Sequence, residues 1–126
     1  MSKIIGIGTD IVEIRKFRDK PYLGNKQFYK KIFLDSEIKY CLKFKSSAEH
    51  FAGKFAIKES VIKAIPEKIS FLDICTSHSK NKPKILLNNE LNRKYRFLVS
   101  VSHEKDYAIS FVIAFKNEKK YTKSSK

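Results

Sequence analysis

The sequence predicts an α+β domain in which one long helix packs on an antiparallel sheet, and three observations carry that expectation. Residues 48–65 form a helix-length stretch that Pro66 closes. The last hairpin places bulky Tyr107, Ile109, Phe111, Ile113 and Phe115 on one face of a strand and small Ala108, Ser110, Val112 and Ala114 on the other. Small residues facing a helix allow close packing. Residues 4–12 form a short apolar strand punctuated by Gly6 and Gly8.

The two glycines of the first strand remove side chains, so that another group can approach the backbone beside Asp10. The run is not a dinucleotide fingerprint, because Ile11 stands where the third glycine of G-x-G-x-x-G belongs. Residues 11–18 read as a short amphipathic helix, with Ile11, Ile14 and Phe17 inward and a basic outer face of Arg15, Lys16 and Arg18. Pro21 and Gly24 mark a turn, and residues 28–34 lead into a helix over 35–42 with Asp35 or Ser36 as N-cap. After the long helix, residues 71–76 and 84–87 read as strands joined by a loop over 77–83. Asn88 opens a polar helix of about two turns. In the final hairpin, strand 97–102 gives way to a turn over 103–106 and then to strand 107–115.

The 126 residues suit a single domain, read as a body over 1–115 and a basic, mobile tail over 116–126. Apolar residues make up 42% and aromatics 13%, which supports a packed core and excludes a disordered chain. The apolar runs are too short to span a membrane and the start has no secretory pattern, so a soluble, cytoplasmic protein is expected. Cys41 and Cys75 lie far apart without a C-x-x-C, which suggests neither a disulfide framework nor a zinc site. The net charge of +14 calls for an anionic partner: nucleic acid, a phosphorylated cofactor or an acidic protein. A solvated, lysine-rich surface accounts for the same charge without a partner.

Two acids stand among apolar neighbours. At about 100° per residue, Glu59 shares a helical face with Ala52, Phe55, Ala56 and Ile62, so its carboxylate projects toward packed structure. An unpaired carboxylate there costs several kcal/mol. A metal ion, a ligand's cation or Lys63 one turn on would compensate it. Asp10, flanked by apolar residues, is the second acid; it either joins Glu59 at a site or caps the next helix. Lys63 is four residues from Glu59, which allows a simple intrahelical pair or a reach to a ligand's phosphate. Ser102 and His103, adjacent on a strand, point to opposite faces and do not form a nucleophile pair.

Three blocks carry a resemblance. Gly6-Ile7-Gly8-Thr9-Asp10-Ile11, then Phe51-Ala52-Gly53-Lys54-Phe55-Ala56-Ile57-Lys58-Glu59-Ser60, then Val101-Ser102-His103-Glu104-Lys105-Asp106-Tyr107-Ala108 together resemble holo-acyl-carrier-protein synthase, the small bacterial class of phosphopantetheinyl transferases. The second block is the most specific. The resemblance implies the phosphopantetheinyl transferase fold and transfer of the 4′-phosphopantetheine arm of coenzyme A to a serine of acyl carrier protein. Adenosine 3′,5′-bisphosphate is released, and the product serves fatty acid biosynthesis. It further implies Mg²⁺ held by Asp10 and Glu59, with Lys63 as a coenzyme A ligand and proton donor. Lys54, Pro83 and His103 become cofactor contacts, His103 near the 3′-phosphate. Hard carboxylate oxygens holding Mg²⁺ suit the charge that spreads over phosphoryl oxygens when a diphosphate is cleaved.

By the same resemblance the protein is a homotrimer with sites between subunits, so that Asp10 faces a neighbour's Glu59 and Lys63. Arg15, Lys16 and Arg18 would steer the acidic carrier protein. The general base is either Glu59 itself or a water held by a nearby acid such as Glu37. His50 and His78 have no matching role and read as surface residues. Two departures touch the nucleotide end: residues 65–68 lack the family's usual glycine, and Asn81-Lys82-Pro83 stands where Gly-Lys-Pro is common. A small nucleic-acid-binding module is the alternative class, but it would leave the two acids unexplained and has no recognisable motif, so neither nucleic acid nor membrane insertion is expected.

Overall fold

The fold was analysed in a computed structural model, which describes residues 3–88 and 90–118. Of the expected tail, residues 119–126 lie outside the described residues. In chain order the elements are β1 (Lys3–Glu13), α1 (Arg15–Arg18), α2 (Lys26–Lys30), α3 (Asp35–Leu42), α4 (Ser47–Ala64), β2 (Ile74–Ser79), β3 (Lys82–Leu87), α5 (Leu91–Lys94), β4 (Tyr95–Glu104) and β5 (Tyr107–Lys116). A 3₁₀ turn over Phe71–Asp73 precedes β2. One antiparallel sheet has the order β1-β5-β4, and β2 and β3 form a separate hairpin.

Helix α4 lies on the small-residue face of the three-stranded sheet, as the alternation in β5 predicts. Ala108, Ser110, Val112 and Ala114 are buried. A methyl group added to Gly6 would overlap the carbonyl of Ala64, and one added to Gly8 would overlap the carbonyl of Ser60. Strand and helix backbones are therefore nearly in contact, and they run in opposite directions. Ser110 Oγ donates to the Ala56 carbonyl at 2.7 Å and bonds the hydroxyl of Ser60, fastening the helix to the middle strand. One core cluster around this helix is aromatic, with Phe17, Tyr29, Phe33 and Phe51 buried together; the other is aliphatic, around Ile57, Val61, Ile74 and Val112.

Several boundaries differ from the sequence expectation. No helix begins at Ile11: β1 continues to Glu13, because Gly8, Asp10 and Val12 keep alternating inward while β5 supplies hydrogen-bonding partners as far as Tyr107. Asp10 is thus mid-strand, opposite Ser110, and caps nothing. The N-cap of α3 is Leu34, whose N–H donates to Glu37 Oε1 at 2.8 Å, so the acid at the third helical position does the capping expected of Asp35 or Ser36. The loop over 77–83 contracts to a two-residue turn, since Lys80 and Asn81 take φ of 53° and 66°, the twist that suits a tight hairpin. Likewise β4 extends through Glu104, so His103 sits in the strand opposite Ala108 and not in the turn. Residues Leu91–Lys94 form a single turn of helix where two were expected.

Among the described residues no helix is long and apolar enough to cross a membrane. The two cysteines are free, Cys41 buried and Cys75 half-buried.

The glycine contacts give a direct test. Gly8→Ala is expected to lower the unfolding free energy by about 3 kcal/mol, because backbone must move to admit the methyl. Gly53→Ala, whose new methyl would meet only Val101 Cγ2 at 3.5 Å, should stabilise by about 0.5–1 kcal/mol through helix propensity. Urea denaturation of the two variants measures both, and the reverse order would contradict the packing of α4 on β1.

Candidate functional site

Asp10 and Lys63 meet where β1 crosses α4. The inward alternation of β1 turns Asp10 toward the helix, and Gly8 brings the strand against Ser60, the residue after Glu59. Lys63 Nζ donates to the Thr9 carbonyl at 2.9 Å and lies 3.2 Å from Asp10 Oδ1. The lysine side chain is 52% exposed and the aspartate 17%, so this pair opens on solvent. The intrahelical pairing of Lys63 with Glu59 is therefore not what the structure holds. Within one chain Asp10 already lies against its own Lys63. Glu59, one turn before Lys63, is half-buried at the rim of the helix's packed face, less enclosed than its apolar neighbours suggested.

Asp10 on β1 and Glu59 on α4 carry hard carboxylate oxygens of the kind that suits Mg²⁺, which is commonly held by one or two carboxylates with water and substrate phosphate completing the shell. The ammonium of Lys63 already occupies a cation's place at Asp10. No cluster of three or more His, Cys, Asp or Glu capable of holding a metal occurs among the described residues.

A second feature lies across α4: a cavity of about 340 Å³ lined by Lys54, His103, Tyr40, Glu49, His50 and His78, with Asn81 at its edge. Lys54 is only 4% exposed, and its Nζ donates to the carbonyl and hydroxyl of Thr76 at 3.2 and 2.9 Å. Burial holds this lysine below its ordinary value. Behind Thr76 stands Glu37, whose Oε2 accepts from the Thr76 N–H at 2.7 Å and its hydroxyl at 2.8 Å, while Oε1 lies 2.7 Å from Lys58 Nζ. Lys58 is fully buried and also donates to the carbonyls of Ile32 and Phe71. Glu37 is thus saturated inside the core, which removes it as a holder of the catalytic water.

Pro83 sits on β3 opposite His78 and lines a different groove, one facing Tyr95 and Phe97 of the β3–β4 side; the turn residue Asn81 reaches the histidine cavity in its place. Arg15, Lys16 and Arg18 are exposed on α1, and Lys16 Nζ lies 4.4 Å over the ring of Phe55, one helical turn before Glu59. His50 and His78, expected at the surface without a role, both line the cavity: His50 is half-buried, whereas His78 is exposed as expected. His50 stacks on Phe44 at 3.8 Å and His78 on Tyr40 at 4.6 Å. A signal for His50 was present, since it precedes Lys54 by one helical turn. Nothing in the sequence around His78 marks it, because the tight turn that aims it depends on the β2–β3 pairing.

Comparison with known proteins shows the family to which this fold belongs. The pattern of the 4′-phosphopantetheinyl transferase superfamily matches residues 6–112. The chain is 38% identical over 120 residues to the holo-[acyl-carrier-protein] synthase of Ehrlichia chaffeensis, covering 89% of this chain and 97% of that protein. Against that of Protochlamydia amoebophila it is 34% identical, covering 86% and 96%. The structure resembles the crystal structure of Helicobacter pylori holo-[acyl-carrier-protein] synthase in complex with coenzyme A, with a TM-score of 0.73 and 35% identity over 86% of this chain and 98% of that one. A fold and family match of this kind define a phosphopantetheinyl transferase. The chain belongs to the 4′-phosphopantetheinyl transferase superfamily, within its holo-[acyl-carrier-protein] synthase family.

The core ion pair and the rim acid should behave differently on substitution. Lys58→Met strands the Glu37 charge in the core and is expected to cost about 3–5 kcal/mol of stability. Glu59→Gln should change stability by less than about 0.5 kcal/mol. Chemical denaturation of both variants checks this, and a stability loss at Glu59 equal to that at Lys58 would contradict its placement at the rim.

Proposed function

We propose that the chain is a Mg²⁺-dependent, trimeric holo-[acyl-carrier-protein] synthase whose reaction centre is the meeting of Asp10, Glu59 and Lys63. It transfers the 4′-phosphopantetheine arm of coenzyme A to a carrier-protein serine and releases adenosine 3′,5′-bisphosphate. The serine oxygen forms the new bond to the β-phosphorus as the diphosphate bridge breaks, and the hydroxyl proton passes to a base. With Glu37 committed to the core, that base is Glu59 or a water it holds. Asp10 and Glu59 would bind Mg²⁺, which when present neutralises charge on the diphosphate oxygens. Lys63 leaves its contact with Asp10 to donate to the departing phosphate. Lys54 and His103 hold the nucleotide end, and Arg15, Lys16 and Arg18 draw in the acidic carrier. The observation that carries the reading is the approach of Lys63 to Asp10 beside Glu59, an acid–base cluster assembled from residues 53 positions apart in sequence.

The trimer is supported by the outer face of the three-stranded sheet. There Ile7, Ile11, Leu98, Ile109 and Phe111 are between 43% and 60% exposed, an apolar surface that needs a partner. A cytoplasmic location is supported by the two free cysteines.

Incubating the protein with coenzyme A, Mg²⁺ and an apo carrier protein should add one phosphopantetheine to the carrier by mass spectrometry. Asp10→Asn and Glu59→Gln are each expected to lower kcat/KM by about 10²–10³-fold. Near-normal transfer by either at saturating Mg²⁺ would sink the assignment. Separately, Phe111→Glu should convert the trimer to monomers in sedimentation equilibrium. A trimer of unchanged mass would remove this face as the interface.

A further inference from the structure

Three imidazoles converge on the Lys54 cavity from three elements: His50 from α4, His78 from β2 and His103 from β4. At the cavity floor Lys54 has no carboxylate of its own, because Glu37 is engaged by Lys58 and by Thr76. Two lysines and one acid leave a surplus positive charge directed at the cavity. The acid lining it is Glu49, whose Oε1 lies 3.7 Å from His103 Nδ1. Facing the histidines from α3 are the Tyr40 hydroxyl-bearing ring and, 5.0 Å over that ring, the ammonium of Lys43. Asn81 contributes an uncharged amide from the turn. The arrangement selects an anion, and stacking on Phe44 and Tyr40 fixes the planes of His50 and His78 so that each can donate to one.

We propose that His50 and His78 join His103 as a proton-linked reader of a phosphomonoester on the nucleotide end of the ligand, so that this group binds with uptake of protons and a ligand lacking it does not. The proposal rests on the reading that this cavity takes the nucleotide end of coenzyme A. Burial first, then His103 and Lys54, hold His50 below the ordinary histidine value, against the pull of Glu49. Burial first, then Lys54 and His50, do the same for His78. Burial therefore favours the neutral form of both imidazoles in the free protein. A phosphate dianion favours their protonated forms and raises both values, so protons are taken up on binding and affinity rises as pH falls toward the imidazole range. The gain levels off near pH ~6, where the phosphomonoester itself takes a proton.

Isothermal titration of the full chain with coenzyme A and with 3′-dephospho-coenzyme A, in buffers of different ionisation enthalpy, tests this. Proton uptake is expected at about pH 7 with coenzyme A and not with the dephospho compound. His50→Gln with His78→Gln should abolish most of the uptake and weaken coenzyme A about tenfold at pH ~6.5, with little change at pH ~8. His78→Gln alone, on an exposed hairpin, should give part of both effects and guards against misfolding of the double variant. Tight binding of coenzyme A without proton uptake, or equal uptake with the dephospho compound or in the double variant, would overturn this inference and leave the transferase reading intact. Failure of both compounds to bind the unsubstituted protein would overturn the two together.

Discussion

The rest of the structure depends on how closely α4 approaches β1 and β5. With Gly6 against Ala64 and Gly8 against Ser60, α4 and β1 meet backbone to backbone, and on β5 the short side chain of Ser110 bonds the Ala56 carbonyl. That approach sets the depth at which Asp10, the next inward residue after Gly8, emerges beside the helix. It also explains why Lys63 can reach both the Thr9 carbonyl and the Asp10 carboxylate. A helix raised by larger residues would leave those groups out of hydrogen-bond range. The small-residue face is thus as much a part of the proposed reaction centre as the charged groups beside it.

The buried ionic node complements this by fixing α4 from its other side. Glu37 of α3 joins Lys58 of α4, the backbone and hydroxyl of Thr76 on β2, and the N–H of Leu34, so three elements are tied at one carboxylate. Buried pairs of this sort contribute little net stability against an apolar replacement but make the loss of one partner costly. Their effect here is positional. Thr76 passes the constraint on to Lys54, which is why a lysine can be almost entirely enclosed and still present its charge to a cavity.

Much of this was legible in the sequence. The alternation of large and small residues in β5 and the glycines of β1 foretold a helix lying close on a sheet, and Pro66 marked the end of α4 at Ala64. Asp10, Lys54, Glu59 and Lys63 were singled out on residue pattern and resemblance, and the structure brings Asp10 to Lys63 and Lys54 to His103. What escaped detection depended on partners remote in sequence. Apolar residues at positions 11, 14 and 17 fit a helix, yet pairing with β5 carried the strand to Glu13, and only Arg15–Arg18 became helical. Glu37 looked available because its partners, Lys58 and Thr76, are 21 and 39 residues away. His78 acquired its place from a turn whose left-handed residues, Lys80 and Asn81, include no glycine to announce it.

The positions on α4 of the two features proposed to take the ligand's phosphates bear on why the protein should assemble. Lys54 and Lys63 are nine residues apart, which places them on opposite sides of a helix at about 100° per residue and about 13 Å apart along its axis. The strands tell the same story. Asp10 is on β1 and His103 on β4, at nearly the same level, opposite Ser110 and Ala108 of the intervening β5. That separation is about 10 Å across the sheet, with α4 bonded to β5 in between. A ligand with phosphates at both sites of one chain would have to pass around the helix. If copies join through the apolar outer faces of their sheets, however, the β1 edge of one can lie beside the β4 edge of the next. The cavity of one subunit and the Asp10–Lys63 pair of its neighbour then flank a single cleft, and a diphosphate-bridged nucleotide can occupy both at once. In this arrangement the apolar sheet face and the two charged features act as parts of one site, completed by assembly.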